Sequence, residues 1–228
     1  MTEVKERPII FSAAMVRAIL ADTKTQTRRI IKPQPLYDGG RTPFWYENTC
    51  EWADSTGIKH KSPYGLPGDR LYVKETWNYA NWNDDGEPWI RYRADGAIRL
   101  ITDVPYEWSE RLSDVWAELS NTENYGIDNT AADRKWRPSI FMPAWASRIM
   151  LEVTNVRLER LHNITESDAQ AEGCDGNCPV GYLPAYQAGP LVYHYQQIFE
   201  AIYGTDSWDK NPWVWVIEFR MVDNEDHI

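Results

Sequence analysis

The sequence predicts a mixed α+β fold, and three observations predict it. Its patterned segments run helix, strand, long irregular stretch, strands, strand, helix, helix, strand, which is not the regular alternation of a parallel βαβ sheet. Its 12 Trp and 13 Tyr favour a β-rich body, because aromatic rings suit a pleated, half-buried surface. They also offer flat faces able to stack on a ring. With 43% hydrophobic and 25% charged residues over 228 positions, the chain has the composition of a globular protein and the length of one sizeable domain, residues 1–228.

Each element follows from local pattern. Ser12 is placed to cap a helix whose Met15, Val16, Ile19 and Leu20 share one face. That helix stops near Asp22-Thr23. The β-branched positions from Thr27 to Ile31 favour a strand, ended by Pro33 and Pro35. Residues 36–67 are rich in Gly, Pro, Asn, Asp and Ser without a period, and read as a long loop or an elaborated insertion. Leu66-Pro67-Gly68-Asp69 signals a turn into a strand from Arg70 to Trp77. Asn83-Asp84-Asp85-Gly86 signals another, followed by a short strand from Trp89 to Arg93. A helix is expected over Ser109–Leu119, with Leu112, Val115, Trp116 and Leu119 on one face, and polar loop over 120–135. Trp136 to Pro143 is an irregular aromatic and apolar passage. Ile149, Leu151 and Val153 alternate with Met150, Glu152 and Thr154, a strand that extends to Leu158. Thr165 and Asp168 form a capping-box pattern, and Gly173 is a natural stop, so Glu172 ends a short helix. A second helix runs from about Pro190 to Tyr203 and is closed by Gly204; Trp213 to Phe219 is a strongly apolar final strand.

Composition narrows the function. No run of 18 apolar residues exists, so no membrane span is expected. The charged N-terminus is no secretory signal, and three cysteines are too few for a disulfide framework. A cytoplasmic, reducing location is the expectation. The net charge of −10 argues against a general binder of long nucleic acid, whose affinity comes from Lys and Arg. GxGxxG, Walker, HExxH and GxSxG signatures are absent. The four histidines show no ligand spacing. Cys174 and Cys178 could both reach one metal, but a structural zinc takes four ligands, so two thiols in a turn-rich loop is the simpler reading. No metal and no cofactor are expected.

The passage from Lys24 to Lys32 stands out. Seven Lys or Arg against three acids over residues 1–36 give a local excess of four positive charges in an acidic chain. A lysine three residues before a threonine, desolvated beside other cations, loses its proton more readily and can take one from the hydroxyl. A solvated basic strand would look the same.

Arg7 to Ser12, followed by Leu20-Ala21-Asp22-Thr23-Lys24-Thr25-Gln26-Thr27-Arg28-Arg29, resembles the opening of an ASCH domain, whose hallmark is a helix followed by G-x-K-T-x-T-x-R. Asp22 stands where the family has glycine. Gly68-Asp69-Arg70-Leu71 resembles the family's G-D-x-L element. Leu161 and Ile164-Thr165-Glu166 to Glu172-Gly173 resemble its acidic helix, and Trp215 to Phe219 its closing strand. Glu75-Thr76-Trp77 and Trp136 to Ile140 resemble the longer members encoded by phages and prophages. The resemblance covers most of the chain, with insertions at about 36–65 and 78–135. It implies a PUA-like small mixed β-barrel with flanking helices. It also implies amidohydrolase activity on N4-acetylcytidine or related N4-acylcytidines. Carried over, the catalytic set is Lys24, Thr27 and Glu172. Lys24 would take the proton of Thr27, whose oxygen attacks the acyl carbonyl; Glu172 would protonate the departing amine or position water. Arg28 and Arg29 are candidate oxyanion donors. Tyr72 and Trp77 are candidate stacking surfaces for the nucleoside, with Lys74 and Glu75 on the alternate face of the same strand. Core packing is the competing role for Trp77 and Trp136. The alternative function is a PUA-like module that binds RNA or a modified base, with or without ribonuclease activity, without amidohydrolase activity. A third is a phage accessory protein that meets a host protein through acidic insertions.

Overall fold

The computed structural model describes residues 4–35, 44–46, 50–53, 59–120, 136–175 and 189–222. The elements are β1 (Glu6–Ile10), α1 (Ala13–Leu20), β2 (Gln26–Ile30), β3 (Phe44–Tyr46), β4 (Glu51–Ala53), β5 (Lys59–Lys61), β6 (Arg70–Lys74), β7 (Trp77–Trp82), β8 (Pro88–Tyr92), β9 (Ile98–Leu100), α2 (Ser109–Ser120), β10 (Met150–Arg160), α3 (Glu166–Ala171), α4 (Pro190–Tyr203) and β11 (Trp213–Val222). The fold is mixed α+β, as the segment order predicts. Its largest sheet has five strands in the order β1-β6-β10-β11-β2, and two smaller sheets have three strands each. No closed barrel is found among the described residues. No helix among them is long and apolar enough to cross a membrane.

Several expectations need correction. The stretch 36–67 contains β3, β4 and β5, which pair antiparallel as a small sheet; strands of three residues are too short to show a period. The strand expected from Arg70 to Trp77 is two strands, separated at Glu75 and Thr76. β1 and β9 carry no pattern that sets them apart from their flanks. Residues 121–135, and with them most of the polar loop expected at 120–135, lie outside the described residues.

The chain divides into two compact units. The first comprises Met1–Arg7, Ala18–Leu71 and Met150–Ile228; the second comprises Pro8–Arg17 and Tyr72–Ile149. The expected insertion at 78–135 falls within the second. In the first unit, β11 lies between β10 and β2 and pairs antiparallel with both. Directly opposed residues share a face. Gln26, Arg28 and Ile30 therefore share one face with Val214, Val216, Glu218, Arg157 and Glu159. Thr27 and Arg29 share the other with Ile217 and Trp215. Val214 and Val216 pack with Leu161, Ile164 and Ala169, and with Val192, Tyr195 and Phe199 of α4, as one buried cluster. In the second unit, β7, β8 and β9 form an antiparallel sheet. Its core holds Trp77, Tyr79, Ile90, Tyr92, Ile101, Leu112 and Met142.

Candidate active site

Two turns bring the ends of the first unit together. After α1, Asp22 adopts φ 54°, a left-handed conformation that glycine takes freely and Asp tolerates. The chain reverses there, with the Thr23 and Lys24 amides both donating to Ala18 O. The turn falls where the sequence ends the helix, near Asp22-Thr23. The second turn follows α3. Thr165 caps that helix, its hydroxyl accepting from the Asp168 amide, while Asp168 accepts from the Thr165 amide, the reciprocal capping box that the sequence predicts. Glu172 is the C-terminal cap, and Gly173 has φ 90°. A Cβ on Gly173 would lie 3.0 Å from Ala18 Cβ and 3.3 Å from Lys24 Cβ. Glycine is thus required for both its backbone and its close approach. The two turns meet in an isolated antiparallel bridge, Lys24 to Glu172, and the Thr25 amide donates to Ala171 O at 2.8 Å.

The side chains of that bridge form a buried ion pair. Lys24 Nζ donates to Glu172 Oε2, Glu172 O and Gln26 O, each at 2.8 Å. The Lys24 side chain is 0% exposed and that of Glu172 4%, so water screens the pair very little. Burial pushes the Lys24 amine below its ordinary pKa, and the Glu172 carboxylate opposes that only in part. Glu172 Oε1 accepts no hydrogen bond and sits 3.6 Å from Arg28 Nη1.

Around this pair lies a charge network that the sequence does not announce. Arg28 is buried and its guanidinium meets Asp168 at 3.2 Å, Glu159 at 3.3 Å and Gln26 Oε1. Arg157 donates to Asp168 at 3.1 Å, to Glu159 and to Glu218. Burial raises the Asp168 carboxyl. The Thr165 amide and hydroxyl, with Arg28 and Gln26, outweigh that and bring it down to about 2. Gln26, Arg157, Glu159, Asp168 and Glu218 were not candidates on sequence. The available signal was polar residues alternating through 155, 157 and 159 of a strand whose facing partners Val214 and Val216 are apolar.

The structure brings together Lys24, Glu172 and Arg28. Thr27 is 2% exposed and paired with Ile217, so it leaves the edge strand β2 on the face opposite Arg28, and Arg29 does the same. A cleft of about 550 Å³ opens beside the bridge, lined by Thr23, Thr25, Ser167, Gln170 and Gly173 among others. The remaining candidates belong to the second unit. Tyr72 is half-buried on β6. Lys74 Nζ donates to Ile140 O at 2.5 Å, and burial lowers its pKa. Glu75 is buried and pairs with Arg148 at 2.8 Å; burial raises its carboxyl, and Arg148 holds it back. Trp77 is 2% exposed and meets Tyr79 edge-on at 5.0 Å, which is the core role weighed for it. Trp136 is half-buried, beside the Arg137–Trp77 bridge.

Cys50 and Cys174 are both buried, and Cys178 lies outside the described residues. Among the described residues no three His, Cys, Asp or Glu are placed to hold a metal ion. Comparison of the chain with protein-family models, curated proteins and solved structures gives no match.

Proposed function

We propose that the chain hydrolyses the acyl amide of an N4-acylcytidine or a closely related nucleoside, with Lys24 and Glu172 as its acid–base pair. One observation carries this reading. Two residues 148 positions apart, each singled out by the ASCH resemblance, share a hydrogen bond in a water-excluded pair. Such a pair can change protonation at little cost. In the ionic form the ammonium donates all three protons to Gln26 O, Glu172 O and Glu172 Oε2. If one proton passes to Oε2, the amine keeps two donors and its lone pair accepts from the carboxylic acid. All three contacts survive, and the pair can then give or take a proton for the reaction.

In the covalent route, the Thr27 hydroxyl adds to the acyl carbonyl and loses its proton to the pair. The amide C–N bond breaks, and the exocyclic nitrogen leaves with that proton. Water then cleaves the threonyl ester, releasing the carboxylic acid and restoring the hydroxyl. In the direct route water attacks in place of Thr27. Thr27 and Arg28 lie on opposite faces of β2, so the variants must separate the routes. The alternative of an RNA-binding surface is less well supported. Lys24 and Arg28, two of the four cations between 24 and 32, are buried against carboxylates and cannot face phosphates.

The test is release of cytidine from N4-acetylcytidine. The wild type is expected to turn over, and Lys24→Ala and Glu172→Gln to lose about 10²-fold or more, the usual scale for a general acid or base. Thr27→Val abolishes turnover on the covalent route and spares it on the direct one. No turnover of N4-acetyl or larger N4-acyl substrates by folded wild type, or full activity in Lys24→Ala, would overturn the reading.

A further inference from the structure

A cavity of about 440 Å³ within the second unit lies between the hairpin turn that joins β7 to β8 and the chain leading into α2. We propose that it binds a small organic cation, a protonated amine carried on an apolar frame. The site uses none of the residues of the proposed hydrolysis.

The walls select the frame. The lining is mostly apolar. Pro88 and Leu112 are buried in it, while Trp82 and Val104 are half-buried and reachable by an entering molecule. Tyr79 stacks on Trp82 at 5.2 Å, and Trp82 and Val104 pack against the core of the unit, which holds that wall in place. The volume falls in the range of small-molecule pockets, roughly 300–1,000 Å³, and exceeds what a bare ion fills. Such a wall takes a hydrocarbon frame, and an indole ring attracts a cation placed over its face.

The rim selects the charge. Asp85 and Glu87 are the charged residues of the lining, and no Lys, Arg or His joins them. Among the described residues neither carboxylate pairs with a cation. A neutral ligand seated there would strip water from these carboxylates and give nothing in return, whereas an ammonium group compensates them. Asn83 fixes the turn that carries them. Its Oδ1 accepts from the Asp85 and Glu87 amides at 3.2 and 2.7 Å, and its Nδ2 donates to Glu87 Oε2 at 2.7 Å. The turn, and Glu87 with it, is thus ordered before the ligand arrives. The start of α2 borders the cavity through Ser109, and a helix start favours anions. Glu107 and Glu110 stand there already and offset it. Two carboxylates are too few for an oxygen-seeking metal ion, which takes about six ligands or more.

The experiment is an NMR titration of the isotope-labelled full chain, followed at the indole N–H signals. The probes are phenethylamine, protonated at neutral pH, and its uncharged counterpart phenethyl alcohol. Trp82→Phe identifies the Trp82 signal. That signal is expected to move, and the amine to bind about ten-fold tighter than the alcohol, the scale of a cation over an indole beside a carboxylate. Raising the salt should weaken the amine and leave the alcohol unchanged. Asp85→Asn/Glu87→Gln, which keeps an acceptor for Asn83, should bring the amine down to the affinity of the alcohol while leaving the thermal transition in place. Equal affinity for amine and alcohol, a Trp82 signal that stays still, or undiminished amine binding by the folded double variant would overturn the proposal. Ammonium or magnesium chloride that displaced the amine more effectively than sodium chloride of equal ionic strength would overturn it in favour of an inorganic cation site.

Discussion

Asp168 caps α3, accepts from Gln26 and Arg157, and pairs with Arg28. Its folded pKa of about 2 lies below the ordinary 3.8. A depressed carboxyl stabilises the fold above the unfolded value, and that contribution is lost as pH falls from about 4 towards 2. Urea midpoints measured from pH 5 to pH 2 should therefore fall steeply in wild type and less steeply in Asp168→Asn. Lys24 gives the same direction of pH dependence, but there the charged form is the one the fold disfavours. Its folded pKa is lowered, so the unfolded chain binds the extra proton, and stability is regained as pH rises towards 10.5. At this scale Lys24 and Glu172 were singled out together only through the ASCH resemblance; a turn and a capping box mark the segments that hold them. The sequence conceals Arg157, Glu159 and Glu218. Polar residues alternating along a strand read as a solvent face, and only the pairing of β10 and β2 with β11 puts them on the face of Arg28.

α3 also holds the start of α4. Glu166 Oε2 and Oε1 accept from the Leu191 and Val192 amides at 3.0 and 2.9 Å, placing a carboxylate where the helix dipole favours it. Gly189 makes room for it, since a Cβ there would stand 2.3 Å from Glu166 Cδ. Gly189→Ala should displace that carboxylate and cost about 1–2 kcal/mol, the scale of a lost cap and its charge. Urea unfolding should show the loss, and Glu166→Ala should show a loss of similar size without adding a clash. The bounds of α4 were legible because Pro190 and Gly204 punctuate them. The break between β6 and β7 was not. Strand-favouring Leu71, Tyr72, Val73, Thr76 and Trp77 lie on both sides of Lys74 and Glu75, and the break at Glu75 accompanies its pairing with Arg148, a partner 73 positions away.

Across the whole molecule, acidity and buried cations together set what the chain can bind. With a net charge of −10, and with Lys24, Arg28 and Arg157 committed to carboxylates, it should hold long single-stranded RNA no tighter than about 1 μM at 150 mM salt, the range of non-specific binding. Filter binding or fluorescence anisotropy would measure this, and a nanomolar affinity would contradict it. The α+β class was visible in the order of elements, whereas the sheet order was not, because strand neighbours are chosen by contacts far apart in sequence. β2, residues 26–30, has β11, residues 213–222, as its neighbour in the sheet. A ribosome therefore lays down β2 long before the strand that pairs with it. Until then β2 presents unpaired backbone to chaperones and proteases. A nascent chain arrested before residue 213 would carry Lys24 and Glu172 with β2 still unpaired, so under the proposed hydrolysis it should be inactive until β11 is added.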